Sequence, residues 1–131
     1  MAESRFVSVA ADSARSRLAS DVVMAGELAF VSGVRAVDLA NDRVPLPEKV
    51  EAQTQKIFSN LEVILQAAGL ERRNIVQVRI YLIDFEGLFE RVNTAYLRYF
   101  NAAPLPARTC VGVARLTRGA QVEMDFVVRV G

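Results

Sequence analysis

The sequence has no histidine, no tryptophan and a single cysteine, and of its 16 cationic residues only Lys49 and Lys56 are lysines. Each shortage removes a class of chemistry. Without histidine, no Ser-His-Asp or Cys-His nucleophilic site can be assembled, nor a His-based zinc site, nor a ribonuclease working through a histidine acid/base pair. With Cys110 alone, no disulfide can close within the chain, which fits a reducing compartment. No Gly-x4-Gly-Lys phosphate loop and no Gly-x-Gly-x-x-Gly turn occurs, so no cofactor and no metal are expected. The longest apolar stretch, over 22–34, is interrupted by Glu27 and two glycines, and it is too short to span a bilayer. Residues 1–5 lack the apolar core of a signal peptide. A soluble, cytoplasmic protein is expected, with no membrane partner.

The charges nearly cancel: Lys+Arg is 16 against Asp+Glu 15, for a net +1. Nucleic acid held by bulk attraction is therefore not an expected partner. The dominance of arginine points instead to planar, bidentate pairing with carboxylates.

At 131 residues and 52% hydrophobic, the chain suits one domain spanning 1–131 with a substantial core. A first short strand is expected over 4–10, a polar loop over 11–20, and a strand over 28–32 ending at Gly33. Over 47–68, Val50, Ile57, Leu61, Ile64, Leu65 and Ala68 recur on one helical face, with Pro47 suited to the first turn and Gly69 to the C-cap. Val76, Val78, Ile80 and Leu82 alternate with Gln77, Arg79 and Tyr81, which is strand period. Helical period returns over 84–100 and stops before Pro104 and Pro106. Strands follow over 109–113 and 121–130, and a further short hairpin is allowed over 35–44. The order β-β-α-β-α-β-β predicts a two-layer α+β domain, with two helices on one face of a mixed sheet of four to six strands.

If Val111 and Val113 meet the helices, Arg108 and Cys110 point to the opposite face together with Glu123, Tyr81, Ala29 and Val31. Such a face is apolar yet charged, as expected of a subunit interface containing a polar cleft.

Several spaced segments together carry a resemblance to a known family. Pro106-Ala107-Arg108-Thr109-Cys110-Val111-x-Val113-x-x-Leu116, followed by Val122-Glu123-Met124-Asp125, resembles the signature of the RidA/YjgF proteins. Phe89-x-x-Val92-Asn93-x-x-Tyr96-x-x-Tyr99-Phe100 is similar to the family's second helix. Gln53-Thr54-x-x-Ile57-x-x-Asn60-Leu61 with Ala67-Ala68-Gly69 is similar to its first, and Val31-Ser32-Gly33 to the strand end before its cleft. The likeness runs over about 19–130.

The resemblance implies a chorismate-mutase-like fold, homotrimers with clefts at the subunit interfaces, and cofactor-free hydrolysis of enamines and imines such as 2-aminoacrylate to 2-keto acids and ammonia. It implies that Arg108 clamps the carboxylate of a small metabolite and that Glu123 positions or activates water. The backbone at Gly33 and Cys110 would hold the substrate, with Asn93 near the cleft. Ser32 reads first as a strand-end hydrogen-bonding residue and second as a ligand contact, and Tyr96 and Tyr99 read as core. Ala19 stands where the enzymatic branch has a cleft tyrosine, and Val34 where it usually has glutamine. These departures keep a second reading open, a non-catalytic trimer that binds 2-keto acids. A ribonuclease role and a dedicated hydrolase of a degradation pathway are the remaining alternatives.

Overall fold

The computed structural model describes residues 3–9, 18–101 and 104–131. Its elements are β1 (Arg5–Val7), β2 (Val22–Ala25), β3 (Leu28–Val34), α1 (Val50–Ala68), β4 (Ile75–Leu82), α2 (Phe85–Tyr99), β5 (Ala107–Gly112) and β6 (Val122–Arg129). The strands form one sheet in the order β1-β2-β3-β6-β4-β5. Only the β4–β5 pair is parallel, joined by the crossover through α2; the others are antiparallel. Both helices lie on one face, which gives the expected two-layer α+β domain.

The core follows from two periodicities meeting. Helix α1 buries Val50, Ile57, Phe58, Leu61, Ile64, Leu65 and Ala68, while β6 buries Val122, Met124, Phe126 and Val128 at every second residue. Apolar area removed from water between these stripes is the main favourable term for the fold. Phe126 is among the largest side chains fully enclosed. Phe126→Ala is accordingly expected to lower the unfolding free energy by about 3–5 kcal/mol, read as a reduced urea midpoint.

Polar residues inside the core have backbone partners. Thr54 Oγ1 donates to the Val50 carbonyl at 2.8 Å, Gln53 Nε2 donates to Pro47 at 2.8 Å, and Asn60 Nδ2 donates to Arg35 and Val37 at 2.9 and 2.8 Å. Unpaired, each buried group would cost about 1–3 kcal/mol.

The boundaries differ from expectation at identifiable points. Helix α1 starts at Val50, not in the turn containing Pro47, because Lys49 is extended at the N-cap (φ −86°, ψ 138°). Gly69 does close it, at φ 71° in the left-handed region. Asp84 caps α2 by accepting from Gly87 N. No hairpin forms over 35–44. That stretch turns instead through Asp38, whose Oδ1 accepts from Ala40 N and Asn41 N at 2.9 and 3.0 Å. The strand that completes the sheet is β2, which returns into β3 through Gly26 at φ 63°. The first strand ends at Val7, and the loop expected over 11–20 falls outside the described residues as far as residue 17. In β4 a register shift between Ile75 and Gln77 buries Ile75 and leaves Val76 exposed, against the alternation that placed Val76 inward. Among the described residues no helix is long and apolar enough to cross a membrane.

Candidate active site: two half-sites on opposite faces of the sheet

The first half-site is built on β5 and α2. The parallel register sets Arg108 beside Val78 and Cys110 beside Ile80. Val78 and Ile80 face the helices, so Arg108 and Cys110 do too. This corrects the expectation that they share a face with Glu123. The physical reason lies in the position of β5: it is the edge strand, with α2 side chains over Arg108, so its inward residues need not be apolar. Its outward Val111 is the exposed one.

Arg108 is held by three α2 side chains at steps of four and three, which form one helical stripe. Nη2 of Arg108 donates to Oδ1 of Asn93. Its guanidinium lies over the Tyr96 ring, 4.6 Å from the centroid, and 5.6 Å from that of Phe89. Phe89 is backed by Phe85, and Tyr96 by Phe58 and Phe100. Two rings and one amide thus fix a planar cation at the sheet edge. Tyr96, expected as core, is buried as core and also serves as the platform for Arg108. Cys110 packs against the core; burial pushes its thiol pKa up, with the Arg108 guanidinium opposing. That environment favours the thiol over the thiolate.

The second half-site lies where β3 meets β6. Val31 pairs with Phe126 and Val34 with Met124, three steps on β3 against two on β6, so β3 carries one extra residue in a bulge at Ser32–Gly33. The Glu123 carboxylate fills the space beside Gly33, where any Cβ would overlap it. The glycine here lets the carboxylate approach closely, and no unusual φ is involved. Ser32 N and Oγ donate to the carbonyls of Asp21 and Ser20 at 2.9 and 2.7 Å, which is the strand-end bonding expected of it. Ala19, beside Ser20, is exposed.

Across the sheet Glu123 pairs with Tyr81, on the face away from the helices. Arg35 Nε stands 3.6 Å from Glu123 Oε1. Burial raises the Glu123 pKa above the ordinary carboxylate value, Arg35 pulls it down, and Asp125 pushes it up. Asp125 is itself engaged, accepting from Arg79 Nε and from the Tyr81 hydroxyl, each at 2.8 Å. Ala29 and Val31, expected on this open face, are buried beneath the helices. Their neighbours Leu28 and Phe30 take the outward places.

The structure therefore brings Arg108, Asn93 and Cys110 together, and separately Ser32, Gly33 and Glu123. One chain does not unite the two groups. Sequence reasoning did not single out Phe89, Arg35 or Asp125 as part of either. The spacing of Phe89, Asn93 and Tyr96 was the available signal for the first; nothing in the local pattern marked Arg35. Among the described residues no group of three or more Asp, Glu or Cys side chains is placed to hold a metal.

Comparison with known proteins fits this architecture. The family model described as Endoribonuclease L-PSP matches residues 10–130. Protein DfrA of Myxococcus xanthus is 41% identical over 105 residues, covering 80% of this chain and 78% of its own. The 2-iminobutanoate/2-iminopropanoate deaminase of Dermatophagoides farinae is 32% identical over 110 residues, covering 83% of each chain. The crystal structure of the YjgF gene product from E. coli superposes with a TM-score of 0.85 at 27% identity, over 95% of this chain and 98% of that one. The two helices on a mixed six-stranded sheet are thus the chorismate-mutase-like fold of these proteins, and the chain belongs to the endoribonuclease L-PSP family, the RidA/YjgF proteins.

Proposed function

We propose that the protein is a cofactor-independent deaminase. It hydrolyses 2-imino acids and their enamine tautomers to 2-keto acids and ammonia, in clefts where the Arg108 half-site of one copy meets the Glu123 half-site of the next in a homotrimer. The observation that carries this reading is the immobilised guanidinium of Arg108, whose plane is set by Asn93, Tyr96 and Phe89 at an edge where a small carboxylate can dock. The naming of a relative as an imine deaminase supports the same class of substrate.

An imine needs little assistance beyond orientation and a proton relay. With its carboxylate on Arg108, the substrate presents C=N to a water held by Glu123. The water oxygen bonds to the imine carbon as the π pair moves to nitrogen, and its proton reaches that nitrogen by way of the Glu123 carboxylate. The resulting carbinolamine passes its hydroxyl proton by the same route, expels ammonia and leaves the 2-keto acid.

The open sheet face supports the trimer. Phe6, Leu28, Phe30 and Val111 stand there 65%, 39%, 47% and 40% exposed, around the Arg79–Asp125–Tyr81 cluster. A bare sheet face of this composition is the surface a second copy would cover. Phe30→Asp is expected to sediment as a folded monomer and to lose turnover, whereas the parent chain sediments as a trimer.

The test of function is a coupled assay. An auxiliary enzyme generates 2-aminoacrylate or a longer imino acid, and decay is followed with the protein, with Arg108→Ala, and with neither. Acceleration by the parent chain alone is the expected result. A folded trimer that accelerates no imine, yet binds 2-keto acids through Arg108, would establish the non-catalytic reading that Ala19 favours. RNA cleavage lost in Arg108→Ala would establish the nucleolytic one, against which the net charge of +1 and the lack of histidine both weigh.

A further inference from the structure

We propose that Arg35 is a positioning residue for Glu123: its guanidinium and the backbone of the Gly33 bulge clamp the carboxylate between them, so that Glu123 meets the substrate as a fixed anion. The inference rests on Glu123 acting in the proposed reaction, but the contacts among Gly33, Glu123 and Arg35 do not depend on it. Oε2 of the carboxylate lies directly against Gly33, and Arg35 Nε is 3.6 Å from Oε1. The Arg35 and Glu123 side chains are only 18% and 26% exposed, so solvent screens the pair less than it would on an open surface.

Arg35 is itself placed, not merely nearby. It follows directly on the last residue of β3, and its carbonyl accepts from Nδ2 of Asn60, a buried residue on α1 that also holds the carbonyl of Val37. A core helix thereby fixes the backbone from which the guanidinium reaches Glu123.

The charges around Glu123 make this cation consequential. Asp125, two residues along β6, is of like sign and disfavours the carboxylate form; Tyr81 on β4 stands opposite; and Arg79 on β4 is committed to Asp125. Arg35 is the group that opposes both burial and Asp125 at this site. Without it, Glu123 would hold its proton to higher pH and would be a base for a smaller part of the working range.

The experiment reads Glu123 directly. Protein carrying 13C-labelled glutamate is titrated by NMR as the trimer, with the Glu123 Cδ resonance identified by its absence in Glu123→Gln. Arg35→Gln is expected to move the Glu123 midpoint upward by about one pH unit. The acid limb of kcat/KM moves the same way, and Arg35→Lys restores most of the shift. Arg35→Met, which keeps the apolar stem, serves if Arg35→Gln does not fold. A midpoint that stays in place, or falls, in a folded variant overturns the proposal. Turnover with an unshifted acid limb also removes the positioning role and leaves the deaminase standing. A shifted midpoint in a protein that hydrolyses no imine keeps the clamp and removes the deaminase.

Discussion

Arg108→Lys is expected to lower kcat/KM for 2-imino acid hydrolysis by about 100-fold to 1000-fold and to weaken 2-keto acid binding to a similar degree. The substitution keeps the positive charge, so the loss measures geometry. A guanidinium offers two parallel donors to a carboxylate, each charge-assisted bond contributing about 1.5–3 kcal/mol, whereas an ammonium offers a point charge. The lysine would also lose its seat. Tyr96 and Phe89 present ring faces matched to a flat cation, and Asn93 Oδ1 accepts from a nitrogen that lysine does not have there. Isothermal titration with a 2-keto acid, beside steady-state kinetics, checks both parts. A variant that binds and turns over as the parent does would remove Arg108 from the site. Because binding is read separately from turnover, the experiment bears equally on the deaminase and on the non-catalytic trimer.

Glu123→Gln is expected to separate the two. Turnover should fall by about 100-fold to 10,000-fold, the usual contribution of a positioned acid/base group, while 2-keto acid affinity changes little. The pH profile carries the sign. In the proposed reaction Glu123 acts as the carboxylate, so the rate is expected to fall as pH drops through the Glu123 pKa. Burial outweighs the pull of Arg35 and raises that pKa. The acid limb should therefore lie above the ordinary carboxylate range and vanish in Glu123→Gln. The stability consequence has the opposite direction to the loss of activity. A carboxylate whose folded pKa is raised is bound more tightly by its proton in the folded state, so its charged form at neutral pH opposes folding. Glu123→Gln should melt no lower than the parent at neutral pH, and below the raised pKa the difference should shrink. A marked loss of stability at neutral pH would instead mean that Glu123 serves the fold through its pair with Arg35.

Much of the fold was legible because it rests on long periodic segments. The inward face of α1, the alternation of β6 and the stop of α2 ahead of Pro104 are written in the spacing of apolar residues, and the closing Gly69 in its chemistry. Failures came where position in the sheet decides what a residue does. On the edge strand β5, alternation gives two sets of residues but not which set faces the helices; Val111 and Arg108 took the reverse of the places their polarity suggested. β2 is four residues long, too short for any period to show. Val76 and the Ser32–Gly33 segment sit at irregularities of register, which a count of odd and even residues cannot register. The family resemblance named candidate residues one by one, and not their arrangement. Arg108 and Glu123 are fifteen residues apart in sequence, on strands separated only by β4, yet on opposite faces.

The bulge in β3 bears on how this surface could change over generations. Removing one residue between Val31 and Val34 would leave Val31 opposite Phe126 and Val34 opposite Met124, now in unbroken alternation, with every core partner of the strand retained. The shortened chain would keep the inward places of the strand, although losing Ser32 would also give up the bonds its N and Oγ make to the Asp21 and Ser20 carbonyls. What it would lose is the recess beside Gly33 and, with it, the resting place of the Glu123 carboxylate. The extra residue thus exchanges the regularity of the ladder for a recess that holds a carboxylate.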